Sequence, residues 1–124
     1  MPKILIVEDN EESRDALLRR LERRGFQVVV AKDGKEGLAM AQSEKPDLIL
    51  MDMNMPDLDG WEATRQIKAV EGLSNVPVLA LSAHALTGDK DRALQVGCAD
   101  YHMKPVDFPK LLDQIEGLLQ NRAL

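Results

Sequence analysis

Cysteine and aromatic side chains are scarce in this 124-residue chain, which contains one cysteine and only 3% aromatic residues. A single cysteine cannot form an internal disulfide, and a lone thiol in a small domain usually packs as a buried hydrophobic group. We therefore expect Cys98 to be inert. The core must consist of aliphatic residues, alanine and methionine, and we expect Trp61 and the methionines to serve as packing.

Long apolar runs and basic stretches are also missing. The longest apolar runs have four or five residues, whereas a helix that spans a membrane needs about 20. The formal net charge is -5, and no stripe of lysine and arginine alternates with aromatic residues. Met1 leads almost directly into an apolar run, without a signal peptide. We expect a cytoplasmic protein that does not cross a membrane and does not bind nucleic acid directly.

A short apolar run followed by a helical pattern occurs five times. The predicted strands are Lys3–Val7, Gln27–Ala31, Leu48–Met51, Val78–Leu81 and Asp100–Met103. The predicted helices run from Glu11 to Arg24, from Lys35 to Ser43 before Pro46, from the Asp59 cap to about Val70, from about Gly88 to near Gly97, and from Phe108 to Gln120. The length fits one domain over residues 1–124.

Alternation of strands and helices predicts a parallel sheet between two helical layers. The four residues before Asp52 have the composition of a strand that is buried on both faces, which is typical of such sheets. We take the strand order 2-1-3-4-5 from flavodoxin-like proteins. The fold class is therefore α/β, a doubly wound (βα)5 flavodoxin-like three-layer sandwich.

Chemically useful side chains follow four of the five predicted strands. They are Glu8 and Asp9 after the first strand, Asp52 after the third, Ser82 after the fourth and Lys104 after the fifth. The second strand, which carries no such group, lies at the edge in this order. Because ligands bind at the carboxyl ends of the strands in open α/β sheets, we expect these five side chains to share one crevice.

Charge repulsion predicts a cation in this crevice. Three carboxylates within about 5 Å repel one another by several kcal/mol per pair at an effective dielectric constant of about 20. Lys104 supplies one positive charge, and a hard divalent ion would answer the rest, with Mg²⁺ favoured over Ca²⁺ if water and phosphate complete the site. Beside Mg²⁺, a carboxylate such as Asp52 is a suitable acceptor for a phosphoryl group.

The chain resembles response-regulator receiver domains from Lys3 to about Leu119. The stretches that carry the resemblance, in order and spacing, are Ile4–Asn10, Asp52–Gly60, Leu81–Ala83 and Tyr101–Pro105. The resemblance implies a signalling switch of a two-component system or phosphorelay, which is not an enzyme beyond its own phosphorylation and dephosphorylation. Its partners would be a histidine kinase or phosphotransfer protein and a downstream protein.

The resemblance also implies roles for individual residues. Asp52 would accept the phosphoryl group, and Mg²⁺ would be held by Glu8, Asp9, Asp52 and the backbone carbonyl of Asn54. Lys104 would form an ion pair with the phosphate, and the Lys104–Pro105 peptide bond would be cis.

A switch pair and an output surface follow from the same resemblance. Ser82 would be drawn to the phosphate, and the ring of Tyr101 would move inward with it. The output surface would lie on the fourth helix, fifth strand and last helix, with the exposed residues Lys90, Asp91, Gln95, Tyr101, Lys110 and Gln114.

Some positions depart from the commonest pattern of the family. Glu8 stands where many members have aspartate and Ser82 where many have threonine, but the carboxylate and the hydroxyl remain.

The last helix lacks the arginine-rich pattern of receivers that dimerise above a DNA-binding domain. The segments Ala83–Asp89 and Gly97–Tyr101 look like those of stand-alone receivers and of receivers in hybrid kinases. We expect a stand-alone protein, monomeric or weakly dimeric, with a receiver from a longer regulator as the alternative.

Two other classes of site are less consistent with the sequence. A calcium loop starting at Asp52 would need glycine where Asp57 stands. A phosphatase with an aspartyl nucleophile would need an acid where Asn54 stands, because an amide is no general acid. His84 and His102 have no second ligand at a useful spacing, and we expect them to be ordinary surface or strand-edge residues.

Overall fold

Five strands and five helices alternate along the chain. The computed structural model describes residues 2–55, 59–83 and 89–123, with all their side chains except those of residues 89–90 and 121–123. The strands are β1 (Lys3–Val7), β2 (Gln27–Ala31), β3 (Leu48–Asp52), β4 (Val78–Ser82) and β5 (Asp100–Met103). The helices are α1 (Glu11–Arg23), α2 (Gly34–Glu44), α3 (Gly60–Ala69), α4 (Asp89–Gln95) and α5 (Phe108–Ala123).

The strands form one parallel sheet in the order β2-β1-β3-β4-β5, so the predicted fold class and strand order are confirmed. Ile4 pairs with Leu48, and Asp52 pairs with Leu81, which places β3 between β1 and β4. All five residues of both β3 and β4 are buried, as expected for strands that are covered by helices on both faces. The ends of β1, β3 and β4 are therefore neighbours.

Each face of the sheet carries its own hydrophobic core. Successive strand residues point to opposite faces: Ile4 and Ile6 belong to the core that includes α1 and α5, and Leu5 and Val7 to the core that includes α2, α3 and α4. The second core also contains Cys98, whose pKa burial raises to about 11, with Thr64 and Lys68 acting in the opposite direction. The thiol is thus a packing group, as predicted.

Local signals account for the ends of the helices. The left-handed Gly25 (φ 92°) follows α1, which stops at Arg23, one residue earlier than expected. Helix α2 extends one residue beyond the predicted range at each end, and Lys45 caps it in the left-handed conformation (φ 49°). The α conformation is disfavoured before a proline such as Pro46. Helix α5 continues past the predicted end to Ala123.

Aspartate side chains cap the starts of α3 and α5, one of them the predicted cap Asp59. Asp59 Oδ1 accepts a hydrogen bond from the backbone N–H of Glu62 at 2.9 Å, as the capping box predicts. Asp107 Oδ1 accepts from the N–H of Lys110 at 3.4 Å. Both side chains satisfy helix N–H groups that would otherwise lack a partner within the helix.

Packing roles were predicted correctly for Trp61 but not for every methionine. Trp61 is buried, and the guanidinium of Arg92 lies 4.2 Å from the centre of its ring. Three methionines around Asp52 are also buried, Met51, Met53 and Met55. Met103, in contrast, is 49% exposed, because it stands at the end of the edge strand β5, so the expectation of packing was wrong for this residue.

Candidate phosphoacceptor site

Three carboxylates meet at the carboxyl edge of the sheet. Glu8 and Asp9 follow β1, and Asp52 is the last residue of β3. One oxygen from each of the three lies within 4.8 Å of the others, and we call this set the acidic cluster. Glu8 and Asp52 are buried, with 1% and 2% of their surface exposed, whereas Asp9 is exposed. The structure thus brings together the three acids that the strand pattern predicted.

The start of α3 packs directly against the acidic cluster's central strand. A Cβ atom on Gly60 would overlap the carbonyl oxygen of Asp52 and lie 2.5 Å from the Cα of Met53. Only glycine permits this approach, because both contacts are with backbone atoms that have no freedom to move aside. Helix α3 is therefore tied to the backbone of Asp52.

Lys104 reaches the acidic cluster from the loop after β5. Its Nζ lies 3.1 Å from Glu8 Oε1 and 3.3 Å from Asp52 Oδ1. The backbone of the loop is held by a hydrogen bond of 2.7 Å from the N–H of Lys104 to the carbonyl oxygen of Ser82. The Lys104–Pro105 bond is cis, as the resemblance implied. One lysine thus bridges two of the three carboxylates.

Burial and mutual repulsion change the protonation of these groups. Burial raises the pKa of Glu8 from 4.5 to about 7, and a hydrogen bond and charge repulsion from Asp52 add to this, while Lys104 opposes it. Burial alone would lower the pKa of Lys104, but the charges of Asp52 and Glu8 outweigh it and raise that pKa. Lys104 is therefore charged at neutral pH, and its single charge does not remove the cost of ionising Glu8.

The donor set of the acidic cluster fits a hard divalent cation. It consists of carboxylate oxygens alone, and such cations prefer oxygen ligands. Three carboxylates face one lysine here, and burial is the main cause of the raised pKa of Glu8, with Asp52 adding to it. A bound dication would lower this pKa again, since a nearby positive charge favours the ionised carboxylate.

The side chain of Asn54 joins the ends of β3 and β4. Its Oδ1 accepts hydrogen bonds from Ser82 Oγ at 3.3 Å and from the N–H of Ala83 at 2.9 Å. The N–H of Asn54 donates to Asp52 Oδ1 at 3.0 Å. The sequence had suggested only the backbone carbonyl of Asn54 as a functional group. The available signal was an asparagine two residues after a strand-ending aspartate, since asparagine side chains commonly accept nearby backbone N–H bonds.

A second polar group, which the sequence did not predict, lies between β5 and α5. His102 lies on the edge strand β5, which fits one half of the expectation, but it is only 2% exposed and is therefore not a surface residue. Its Nδ1 lies 2.7 Å from Gln114 Oε1, and its Nε2 accepts from the N–H of Asp107 at 3.2 Å. Gln114 Nε2 donates to Asp100 Oδ2 and to the carbonyl oxygen of Tyr101, both at 3.0 Å. We call Asp100, His102, Asp107 and Gln114 the β5–α5 network.

The expected output surface contains exposed residues from all three elements. Asp91, Gln95 and Lys110 are exposed, whereas Tyr101 and Gln114 are half-buried, and Gln114 belongs to the β5–α5 network. Two large hydrophobic residues that the sequence did not single out, Leu94 on α4 and Met103 on β5, are 47% and 49% exposed. The side chain of Lys90, all of His84, and Asp57 of the calcium-loop alternative lie outside the described residues.

Comparisons with known proteins agree with this geometry. Residues 4–116 match the response regulator receiver domain family. The polar-differentiation response regulator DivK of Brucella anthropi is 38% identical over 120 residues, which cover 96% of this chain and 98% of DivK. The chain therefore belongs to the response regulator receiver domain family and is the receiver domain of a two-component response regulator.

Two solved structures superpose closely on this chain. The chemotaxis protein CheY4 of Vibrio cholerae superposes with a TM-score of 0.90 at 30% identity, covering 95% of this chain and 98% of CheY4. The receiver domain of the sensor histidine kinase PA1611 from Pseudomonas aeruginosa, which has a magnesium ion in its active-site cleft, has a TM-score of 0.89 at 37% identity, with coverage of 96% and 98%.

Family membership establishes the general role. Receiver domains are signalling proteins that bind Mg²⁺ in the acidic pocket and interact with histidine kinases or phosphotransfer proteins and with downstream targets. Among the described residues, none of the helices is both long and apolar enough to cross a membrane.

Proposed function

We propose that this chain is a phosphorylation switch in which Asp52 accepts a phosphoryl group from the phosphohistidine of a kinase or phosphotransfer protein. The observation that carries the proposal is the acidic cluster, whose oxygens lie within 4.8 Å of one another, with Lys104 Nζ 3.3 Å from Asp52 Oδ1. A carboxylate oxygen of Asp52 bonds to phosphorus while the phosphorus–nitrogen bond breaks, and the imidazole keeps that electron pair. Hydrolysis of the resulting acyl phosphate restores the carboxylate and releases inorganic phosphate.

The residues around Asp52 have separate roles in this step. Glu8, Asp9, Asp52 and the backbone carbonyl of Asn54 would hold Mg²⁺, which supplies positive charge next to the transferring phosphoryl oxygens. Lys104 contributes a second positive charge to the same oxygens, and the Ser82 hydroxyl donates a hydrogen bond to one of them. Catalysis by the chain is limited to its own phosphorylation and dephosphorylation.

Phosphorylation changes the charge of the buried side chain of Asp52. It replaces one negative charge on Asp52 by about two and adds strong acceptor oxygens, which draw Ser82 towards the phosphate. Tyr101 moves inward with it, and this biases a pre-existing equilibrium towards the state that binds the target. The target would contact α4, β5 and α5, where the exposed Leu94 and Met103 offer apolar contacts.

Labelling with acetyl phosphate or with a phosphorylated histidine kinase tests the phosphoacceptor. We expect Asp52→Asn to abolish labelling, because an amide is a far weaker nucleophile than a carboxylate. Asp113→Asn, the same change at an exposed aspartate of α5, is the matched control and should label normally. Undiminished labelling of Asp52→Asn on the same peptide would refute the assignment.

Lys104 should matter more for the output than for the transfer. We expect Lys104→Ala to accept phosphoryl groups still but to lose most of the phosphorylation-dependent binding to the target, because the lysine connects the phosphate to the loop after β5. Parallel labelling and pull-down assays measure the two properties. A Lys104→Ala protein that binds its target as the parent chain does would contradict this role.

We further propose that the chain acts as a stand-alone receiver, monomeric or weakly dimeric, in the cytoplasm. The alignment with DivK, which covers 98% of that protein, supports a stand-alone role. The similarity to the receiver of PA1611 favours a second candidate, a receiver from a hybrid kinase. The mass of the native protein in source cells decides between them, and sedimentation measures its oligomeric state.

A further inference from the structure

The side-chain oxygen of Asn54 accepts two hydrogen bonds from the end of β4, one from the Ser82 hydroxyl and one from the N–H of Ala83. The two bonds are 3.3 Å and 2.9 Å long, respectively. The N–H of Ala83 has no capacity to accept, so it identifies the oxygen end of the carboxamide without ambiguity. Asn54 is exposed, whereas Ser82 is fully buried.

The Ser82 hydroxyl is needed elsewhere if the proposed function is correct. A serine hydroxyl has a single proton, so Ser82 has to leave Asn54 before it donates to a phosphoryl group on Asp52. The N–H of Ala83, one residue further along the chain, is restrained together with Ser82. Asn54 is itself tied to the acceptor, because its N–H donates to Asp52 Oδ1 at 3.0 Å.

We propose that the Asn54 side chain is a latch that holds Ser82 and Ala83 in the resting arrangement and opposes the phosphorylated one. Asn54 is in this respect a positioning residue, which acts through Ser82 and Ala83 and not on the phosphorus. The inference rests on the proposed function for its consequence, but the latch itself exists in the unphosphorylated protein. The two parts are therefore tested separately.

Hydrogen exchange of the Ala83 amide tests the latch without any phosphodonor. We expect Asn54→Ala to speed this exchange about fivefold or more, because a hydrogen bond typically contributes about 1 kcal/mol. Asn75→Ala, at an exposed asparagine in a turn, is the matched control and should leave it unchanged. An unchanged Ala83 exchange rate in Asn54→Ala would overturn the latch, whatever the protein does with phosphate.

Titration with beryllofluoride in excess Mg²⁺, followed by amide NMR, tests what the latch opposes. We expect Asn54→Ala to bind this phosphoryl analogue about fivefold more tightly than the parent chain, since nothing at residue 54 then holds Ser82 and Ala83 in the resting arrangement. A residue that only supported the loop would weaken binding when removed. Unchanged or weaker binding by Asn54→Ala would therefore overturn the proposal.

A double-mutant comparison separates Ser82 from other effects of Asn54. In a Ser82→Ala background the gain from Asn54→Ala should shrink, because one of the two hydrogen bonds is already absent. An equal gain in both backgrounds would refute the competition for the Ser82 hydroxyl. If the parent chain and Asn75→Ala both fail to bind beryllofluoride, the proposed function is refuted, while Ala83 exchange still decides whether the latch exists.

Discussion

The acidic cluster and the β5–α5 network are both polar groups built around buried side chains, Glu8 and Asp52 in the cluster and His102 in the network, but their charges are compensated differently. In the β5–α5 network, Nε2 of His102 accepts from the N–H of Asp107, so Nδ1 carries the proton and donates to Gln114. Gln114 in turn donates to Asp100 and to the carbonyl oxygen of Tyr101. Every donor in this series meets an acceptor, without a buried charge that lacks a partner.

The acidic cluster, in contrast, contains three carboxylates but is contacted by only one lysine among the described residues. Glu8 has a raised pKa of about 7 although Lys104 lies 3.1 Å from it. Burial of such groups costs stability unless a cation or a proton neutralises them. The polar groups of the β5–α5 network are matched within the fold, whereas the acidic cluster retains uncompensated negative charge, which favours Mg²⁺ and phosphoryl chemistry.

Removing the centre of the network should have the largest effect on stability. Gln114→Leu removes the hydrogen bonds of Gln114 to His102 Nδ1, Asp100 Oδ2 and the carbonyl oxygen of Tyr101, and we expect the free energy of unfolding to fall by about 3 kcal/mol. Chemical denaturation measures this change. Gln120→Leu, at an exposed position of the same helix, is the matched control and should change stability by less than about 0.5 kcal/mol. Equal effects of the two substitutions would show that the network does not stabilise the fold.

In the absence of Mg²⁺, the folded chain should become more stable as the pH is lowered. The pKa of Glu8 is about 7 in the folded chain against 4.5 as its ordinary value, so the folded state binds the proton more tightly. The free energy of unfolding should therefore fall as the pH rises from about 4.5 to about 7, by up to about 3 kcal/mol from this group.

Glu8→Gln isolates this contribution, because it has no proton to lose. We expect its stability to vary less with pH than that of the parent chain over the same window, as measured by urea denaturation in EDTA. Glu116→Gln, an exposed control on α5, should keep the parent profile. Identical profiles for the parent chain and Glu8→Gln would contradict the raised pKa.

Mg²⁺ should stabilise the parent chain by a smaller amount. At ten times its dissociation constant, a ligand that binds only the folded state adds about 1.4 kcal/mol, or about 5 °C in melting temperature for a domain of this size. Asp52→Asn should reduce this shift, because it removes one ligand and one charge. A melting temperature that is insensitive to millimolar Mg²⁺ would count against a metal site in the acidic cluster.

Features with a local cause were predictable from the sequence. The β3 strand was recognised because Leu48–Met51 is a short, continuous apolar run, and Asp59 was recognised as a cap because Glu62 stands three residues later. The meeting of Glu8, Asp9 and Asp52 needed one further step, the strand order, which was taken from flavodoxin-like proteins. The burial of His102 had no such cause. Its hydrogen-bond partner Gln114 is twelve residues away, and no local pattern connects the two.

The amino-acid sequence alone determined the five strand–helix units and the identity of the groups at the strand ends, because periodicity and capping act over a few neighbouring residues. Only the tertiary structure decided that Lys104 bridges Glu8 and Asp52, that Asn54 holds Ser82 and Ala83, and that Met103 is exposed. These contacts join residues far apart in the chain, and their distances depend on how the strands pack side by side.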